Sequence, residues 1–260
     1  MSKYITRWYR NSEGIPKVSL RDTFSKNNIE NYKQEIYELG QVSKDIKLFY
    51  NKCSILTGSG LVSGLINTRY SNEILESIND KFTVVIKARQ IGFSITSAII
   101  SLYYTQILNK SVVIISKDNM MDKIRMIYRY LPEHLKYGVC KMNKKEIKFN
   151  NGCRIKVSNS IISALGWSPE LTICDEFDWL SNKQKDICKY LIPTIAARLN
   201  DQLIIGSTID TNNKGVSMLD LITNTDYFVY NFKFLNLDEI DLIVKQFIRE
   251  KKINDILNEI

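Results

Sequence analysis

The sequence predicts an α/β fold, a mainly parallel β-sheet with helices on both faces. Short β-branched runs recur at 82–86, 112–116, 171–174 and 202–206, each suited to a buried strand. Segments with helical periodicity separate them, so strands and helices alternate along the chain. Of the 260 residues, 44% are hydrophobic and 25% charged, enough apolar material for one large core or two modest ones.

Residues 1 to about 50 are polar, punctuated by Gly14-Ile15-Pro16, with a helical stretch over 28–39 and no strong buried strand. They read as an N-terminal arm or lid, assigned to 1–65. The core, assigned to 66–225, starts with a short helix over 72–80 that leads into the strand 82–86. A helix over 94–108, the strand 112–116 and an amphipathic helix over 120–131 follow. Residues 146–149 and 154–157 alternate apolar and polar side chains around Asn150-Asn151-Gly152, the signature of a β-hairpin insertion with one wet face. The strand 171–174, a helix over 183–199 and the strand 202–206 complete the core. Residues 226–260 read as a strand and an acidic, lysine-rich helix over 237–257.

Composition narrows the function classes. Lys and Arg outnumber Asp and Glu by 36 to 28, a net charge of +8 that favours polyanions, although a lysine-rich solvated surface explains the same balance. The five cysteines, Cys53, Cys140, Cys153, Cys174 and Cys188, form no CxxC pair and read as free thiols in a reducing cytosol. The single histidine, His134, argues against a zinc centre or a Ser-His-Asp triad and reads as a surface residue at a helix end. No apolar run approaches the roughly 20 residues of a membrane span, and the first residues do not open a signal peptide, so a soluble chain with no membrane partner is expected.

Phosphates bind where a strand turns into a helix, because backbone N–H groups and the positive end of the helix dipole converge there. Lys87-Ala88-Arg89-Gln90-Ile91-Gly92-Phe93-Ser94-Ile95 has this placement. Against the usual GxxxxGK[ST], Gly92 and Ser94 fall in register, whereas Lys87 replaces the first glycine and Phe93 the lysine. The phosphate cation must then come from Lys87 or Arg89. Ser94 is placed to ligate Mg²⁺, with Thr96 as an alternative.

The strand 171–174 delivers Asp175 and Glu176 to its C-terminal edge, where ligands bind in parallel sheets. Nucleotide hydrolysis needs one acid to hold Mg²⁺ and a second to orient and deprotonate water. A helix N-cap explains the same pair without chemistry. The strand 202–206 ends in Ser207-Thr208, suited to sensing the γ-phosphate or forming an ordinary turn. Both motifs in order, each at a strand end, favour a P-loop NTPase of the ASCE type that uses ATP and Mg²⁺.

The string Lys87 to Ser94 resembles the deviant Walker A loop of viral (bacteriophage-type) large terminase subunits. Leu131-Pro132, the Asn151-Gly152 hairpin, Gly166-Trp167-Ser168, Asp175-Glu176-Phe177, and Ser207-Thr208 followed by Lys214-Gly215 are similar to that family in order and spacing over about 65–225. The resemblance implies an ATPase motor that translocates double-stranded DNA into a procapsid. It implies Lys87 as phosphate lysine, Arg89 as loop arginine, Ser94 and Asp175 as the Mg²⁺ holders, Glu176 as catalytic base, and Ser207 with Thr208 as coupling motif. It also implies a homo-oligomeric ring, a portal protein and a small terminase subunit as partners, and action in the host cytoplasm at the portal. No nuclease activity is expected from this chain alone. A P-loop helicase or other nucleic-acid-stimulated ATPase, or a low-turnover nucleotide-binding regulator, fits the same motifs. Arg198 is a candidate for completing a neighbour's site, or else a helix C-terminal cation.

Overall fold

The computed structural model describes residues 9–10, 16–17, 26–57, 60–63, 69–87, 90–116, 119–160, 162, 167–180, 190–208 and 233–237. In chain order these form a ribbon of β1 (Tyr9–Arg10) and β2 (Pro16–Lys17), then α1 (Lys26–Val42), α2 (Ile46–Lys52), β3 (Ser54–Thr57), β4 (Gly60–Ser63) and α3 (Arg69–Glu76). There follow β5 (Phe82–Lys87), α4 (Phe93–Gln106), β6 (Val112–Ile115), α5 (Met120–Tyr130), β7 (Val139–Met142), β8 (Glu146–Phe149) and β9 (Arg154–Ser158). The last strands are β10 (Leu171–Asp175), β11 (Gln202–Ser207) and β12 (Lys233–Leu237), with 190–196 helical between β10 and β11.

One eight-stranded sheet has the order β12-β5-β11-β10-β6-β9-β8-β7. Every pairing from β12 to β9 is parallel, and only β8 and β7 join antiparallel. Continuous burial of β5, β6 and β10 follows from cover on both faces. On one face Val85, Val112, Ile114, Leu171, Ile173 and Ile204 pack into a core with α2, α3, α4 and α5. The alternate set, Val84, Val113, Ile115, Leu203 and Ile205, is buried outside that core, as are Leu191, Ile192 and Ile195 of the 190–196 helix.

Helix α4 runs through the centre, which explains a composition unusual for a helix. Two of its buried hydroxyls are satisfied within it, Ser101 donating to the Ser97 carbonyl at 2.8 Å and Thr105 to that of Ser101 at 3.0 Å. Helix α5 buries Met120, Met121, Ile124 and Ile127, one amphipathic stripe.

Most expected elements are present within a few residues, and the differences have causes. The Asn-Gly hairpin forms with Gly152 at φ +85°, but β9 also pairs in parallel with β6, so the insertion extends the main sheet. In the segment expected to be an arm or lid, Val42, Ile46, Phe49 and Tyr50 are buried in the same core as α4. Leu237, expected to open a helix, ends β12 instead; the rest of that helix and 183–189 of the preceding one lie outside the described residues. His134 is only partly exposed: it lies within a short turn, its Nε2 2.9 Å from Glu38 of α1. Cys53, Cys140, Cys153 and Cys174 are free thiols, Cys188 falling outside the described residues. No described helix is long and apolar enough to cross a membrane.

Candidate functional site

The site forms where β5, β11 and β10 end side by side. Register places Ser207 beside Ile86 and Gly206 beside Asp175, so the strand carrying Ser207 separates the two motif strands. Strands β5 and β10 are therefore about 10 Å apart, two strand spacings. The long side chain of Lys87 crosses that gap. Its Nζ lies 2.5 Å from Glu176 Oε1 and 3.8 Å from Asp175 Oδ1. Ser94, in the first turn of α4, donates a hydrogen bond to Asp175 Oδ2 at 2.6 Å. Four residues separated by up to 89 positions in sequence thus meet at one point.

Two backbone features aim these groups. Gly92 precedes α4 in the left-handed region (φ +85°), and Gln90 is also left-handed (φ +65°), which turns the chain sharply from strand to helix. Glu176 adopts φ 58°, ψ 49°, a costly conformation for a non-glycine residue. That twist directs its carboxylate back to Lys87. Glu176 makes no side-chain cap on the short turn Phe177–Trp179, and Asp175 accepts from Ser94, so helix capping does not explain this pair.

Asp175 is fully buried, and its Oδ1 is the acceptor in the site that has no hydrogen-bond partner. Burial raises its pKa above the ordinary carboxylate value; the Ser94 hydrogen bond and Lys87 oppose this, Glu176 adds to it, and Lys123 opposes it. A raised folded pKa means that this group's stabilisation is full below the unfolded value and is lost as pH rises through the folded one. At neutral pH, above the unfolded value, Asp175 therefore costs stability. Asp175→Asn should raise the melting temperature of the nucleotide-free protein at pH 7, by about 2–4 °C per kcal/mol recovered, and the advantage over wild type should shrink toward pH 4. Thermal melts across that range test this; an Asn variant less stable at pH 7 contradicts it.

Phe93, at the usual lysine position, is 2% exposed and turned inward. Its ring lies against Gly206, where an added Cβ would come within 2.2 Å of Phe93 Cζ. The Lys87 ammonium sits 5.4 Å from the centroid of the same ring, within cation–π range. Gly206→Ala forces this packed ring to move and should cost about 1–3 kcal/mol, read as a lowered midpoint in denaturant; an unchanged midpoint would show the slot to be looser than its geometry.

The other candidates divide clearly. Thr96 is buried within α4, leaving Ser94 as the hydroxyl at Asp175. Gln90 is exposed, and Ile91 and Ile95 pack partly against the core. Ala88, Arg89, Gly166, Lys214 and Gly215 lie outside the described residues. Arg198 lies at the opposite end of β11, held in cis by Asp201 at 2.8 Å and Ser168 at 2.7 Å. Three contributors escaped sequence reasoning: Gly206, Lys123, and the turn after Glu176. The Asp178 N–H donates to Ser207 Oγ at 3.0 Å, and Trp179 Nε1 donates to Thr208 Oγ1 at 3.0 Å. Ser207 and Thr208 are thereby tied to the turn that carries Glu176.

Among solved structures the chain is similar to the HK97 bacteriophage large terminase, with a TM-score of 0.57 and 16% identity over 75% of this chain and 43% of that one. The chain shares its fold with part of that terminase. It spans less than half the length of that terminase. Weaker likenesses are to the large terminase ATPase domain of Thermus phage P74-26 (TM-score 0.48, 12% identity, 73% of this chain and 87% of that one) and the Phi-28 gp11 DNA packaging motor (TM-score 0.42, 13% identity, 70% and 65%). No family model matches the sequence, and no curated protein matches it, so the terminase likeness is one of fold.

Proposed function

We propose that the chain is an ATP-hydrolysing motor domain that acts on double-stranded DNA, as in viral DNA packaging. The observation that carries this reading is the convergence of Lys87, Ser94, Asp175 and Glu176 at one edge of a parallel sheet. It provides a cation, a hydroxyl and two acids in different environments.

The donors suit a hard cation. Ser94 Oγ, the two oxygens of Asp175 and a nearby second carboxylate are all oxygen ligands, and Asp175 Oδ1 has no hydrogen-bond partner. This fits Mg²⁺, which commonly takes one or two protein ligands and completes its shell with phosphate and water. When bound, Mg²⁺ neutralises charge on the β- and γ-phosphate oxygens.

The protein's own groups do the rest. Ser94 and Asp175 would hold the metal. Lys87 balances the phosphate charge, a role that Phe93, buried against Gly206, cannot take. Glu176, with 28% of its side chain exposed, can accept a proton from the attacking water. Lys87 and Glu176 form an ion pair that neutralises both. Phosphate draws Lys87 away and leaves Glu176 free to act as base, so the base is released as substrate arrives. Ser207 and Thr208, bonded to the turn of Glu176, relay the change toward DNA-gripping elements.

Assembly as a homo-oligomeric ring on a portal protein, with a small terminase subunit, in the host cytoplasm, belongs to the same proposal. The test is ATP hydrolysis by purified protein with and without duplex DNA and portal-bearing procapsids. Hydrolysis stimulated by both, with DNA becoming nuclease-protected inside capsids, supports the packaging reading. Stimulation by DNA with strand unwinding and no response to procapsids would replace it with a helicase.

A further inference from the structure

We infer that the β7–β8–β9 edge of the sheet is a binding surface for the phosphate backbone of double-stranded DNA. Register puts Lys141 opposite Lys148 and Lys148 opposite Arg154, one row of three cations across three strands; in the neighbouring row Glu146 faces Lys156 on the same side. The other side of these strands carries Ile147, Phe149, Ile155 and Val157, all buried. Four cations thus share a face with one carboxylate, Glu146. Lys144 and Lys145 are exposed at the adjoining β7–β8 turn.

Like charges directly opposite on neighbouring strands destabilise a sheet. Glu146 offsets only part of this, lying 3.3 Å from Lys141 and 3.5 Å from Arg154. No ion pair among the described residues reaches Lys144, Lys145, Lys148 or Lys156. The remaining repulsion is one that a bound polyanion would relieve. The turn is also held in place: Asn143 Oδ1 accepts from the N–H groups of Lys145 and Glu146 at 2.9 Å, its carbonyl accepts from Arg125, and Val157 N–H donates to the Lys145 carbonyl at 2.8 Å. Three strands span about 10 Å, a length over which a duplex carries about six phosphate charges. A lipid surface is a poorer fit, because interfacial binding needs apolar side chains among the cations. Here Met142 is the exposed large apolar residue, and Trp167 lies under the Arg154 guanidinium at 4.0 Å.

The inference rests on the DNA-motor reading, but its test needs no nucleotide, so the two fail separately. Duplex DNA binding is measured by fluorescence anisotropy across a salt series for wild type and Lys144→Ala/Lys145→Ala/Lys148→Ala. These exposed positions lie three or more strands from β10, so DNA-free ATP hydrolysis and the melting temperature should be unchanged. The expected result is at least tenfold weaker binding at low salt and a plot of log K against log salt shallower by about 2–3, near 0.9 per lost phosphate contact. Unchanged affinity and slope would overturn the inference. So would wild-type protein that binds phosphatidylserine vesicles through these lysines while failing to bind the duplex.

Discussion

Lys87→Ala is expected to abolish ATP turnover, lowering the single-turnover rate by at least about 10²–10³-fold, the scale seen when one preorganised charge-stabilising group is removed from an active site. The size of the effect follows from the packing of the loop. In the usual motif the cation stands after the second glycine, but here that position holds Phe93, buried against Gly206. Lys87 instead reaches across β11 to the acids of β10. It is 4% exposed, so its removal also strands two carboxylates without their counter-ion. Loss of a buried partner is strongly destabilising, by about 3–5 kcal/mol, and circular dichroism must accompany the rate measurement. Folded Lys87→Ala protein with wild-type turnover would assign the phosphate cation to Arg89.

Glu176→Gln separates binding from chemistry. Its turnover should fall by about 10²–10⁴-fold, the usual contribution of a positioned general base. Nucleotide should bind at least as tightly as to wild type, because the 2.5 Å ion pair that competes for Lys87 is gone. Titration with a fluorescent nucleotide checks this. Weaker binding would mean that Glu176 holds the nucleotide or its metal rather than activating water.

The sequence made the sheet legible because its strands are continuously apolar and β-branched, as in β5 and β10, and because a strand end followed by a helix start is a local pattern. The chemistry-bearing residue types were readable for the same reason. Pairing was not. That Phe93 needs a glycine on a strand more than a hundred residues later, or that Trp179 donates to Thr208, depends on which strands become neighbours. The left-handed backbone of Glu176 carries no local signal, since it is held by what surrounds it. The same limit concealed the three-strand cationic row, whose members are ordinary exposed lysines until β7, β8 and β9 are aligned.

The central claim, that this constellation hydrolyses ATP with Glu176 as base, is tested most directly by phosphate release from purified protein with Mg²⁺, ATP, duplex DNA and procapsids. Wild type should release phosphate continuously and Glu176→Gln should not, although both bind nucleotide. Equal rates for the two proteins, at background level or above it, would contradict the claim.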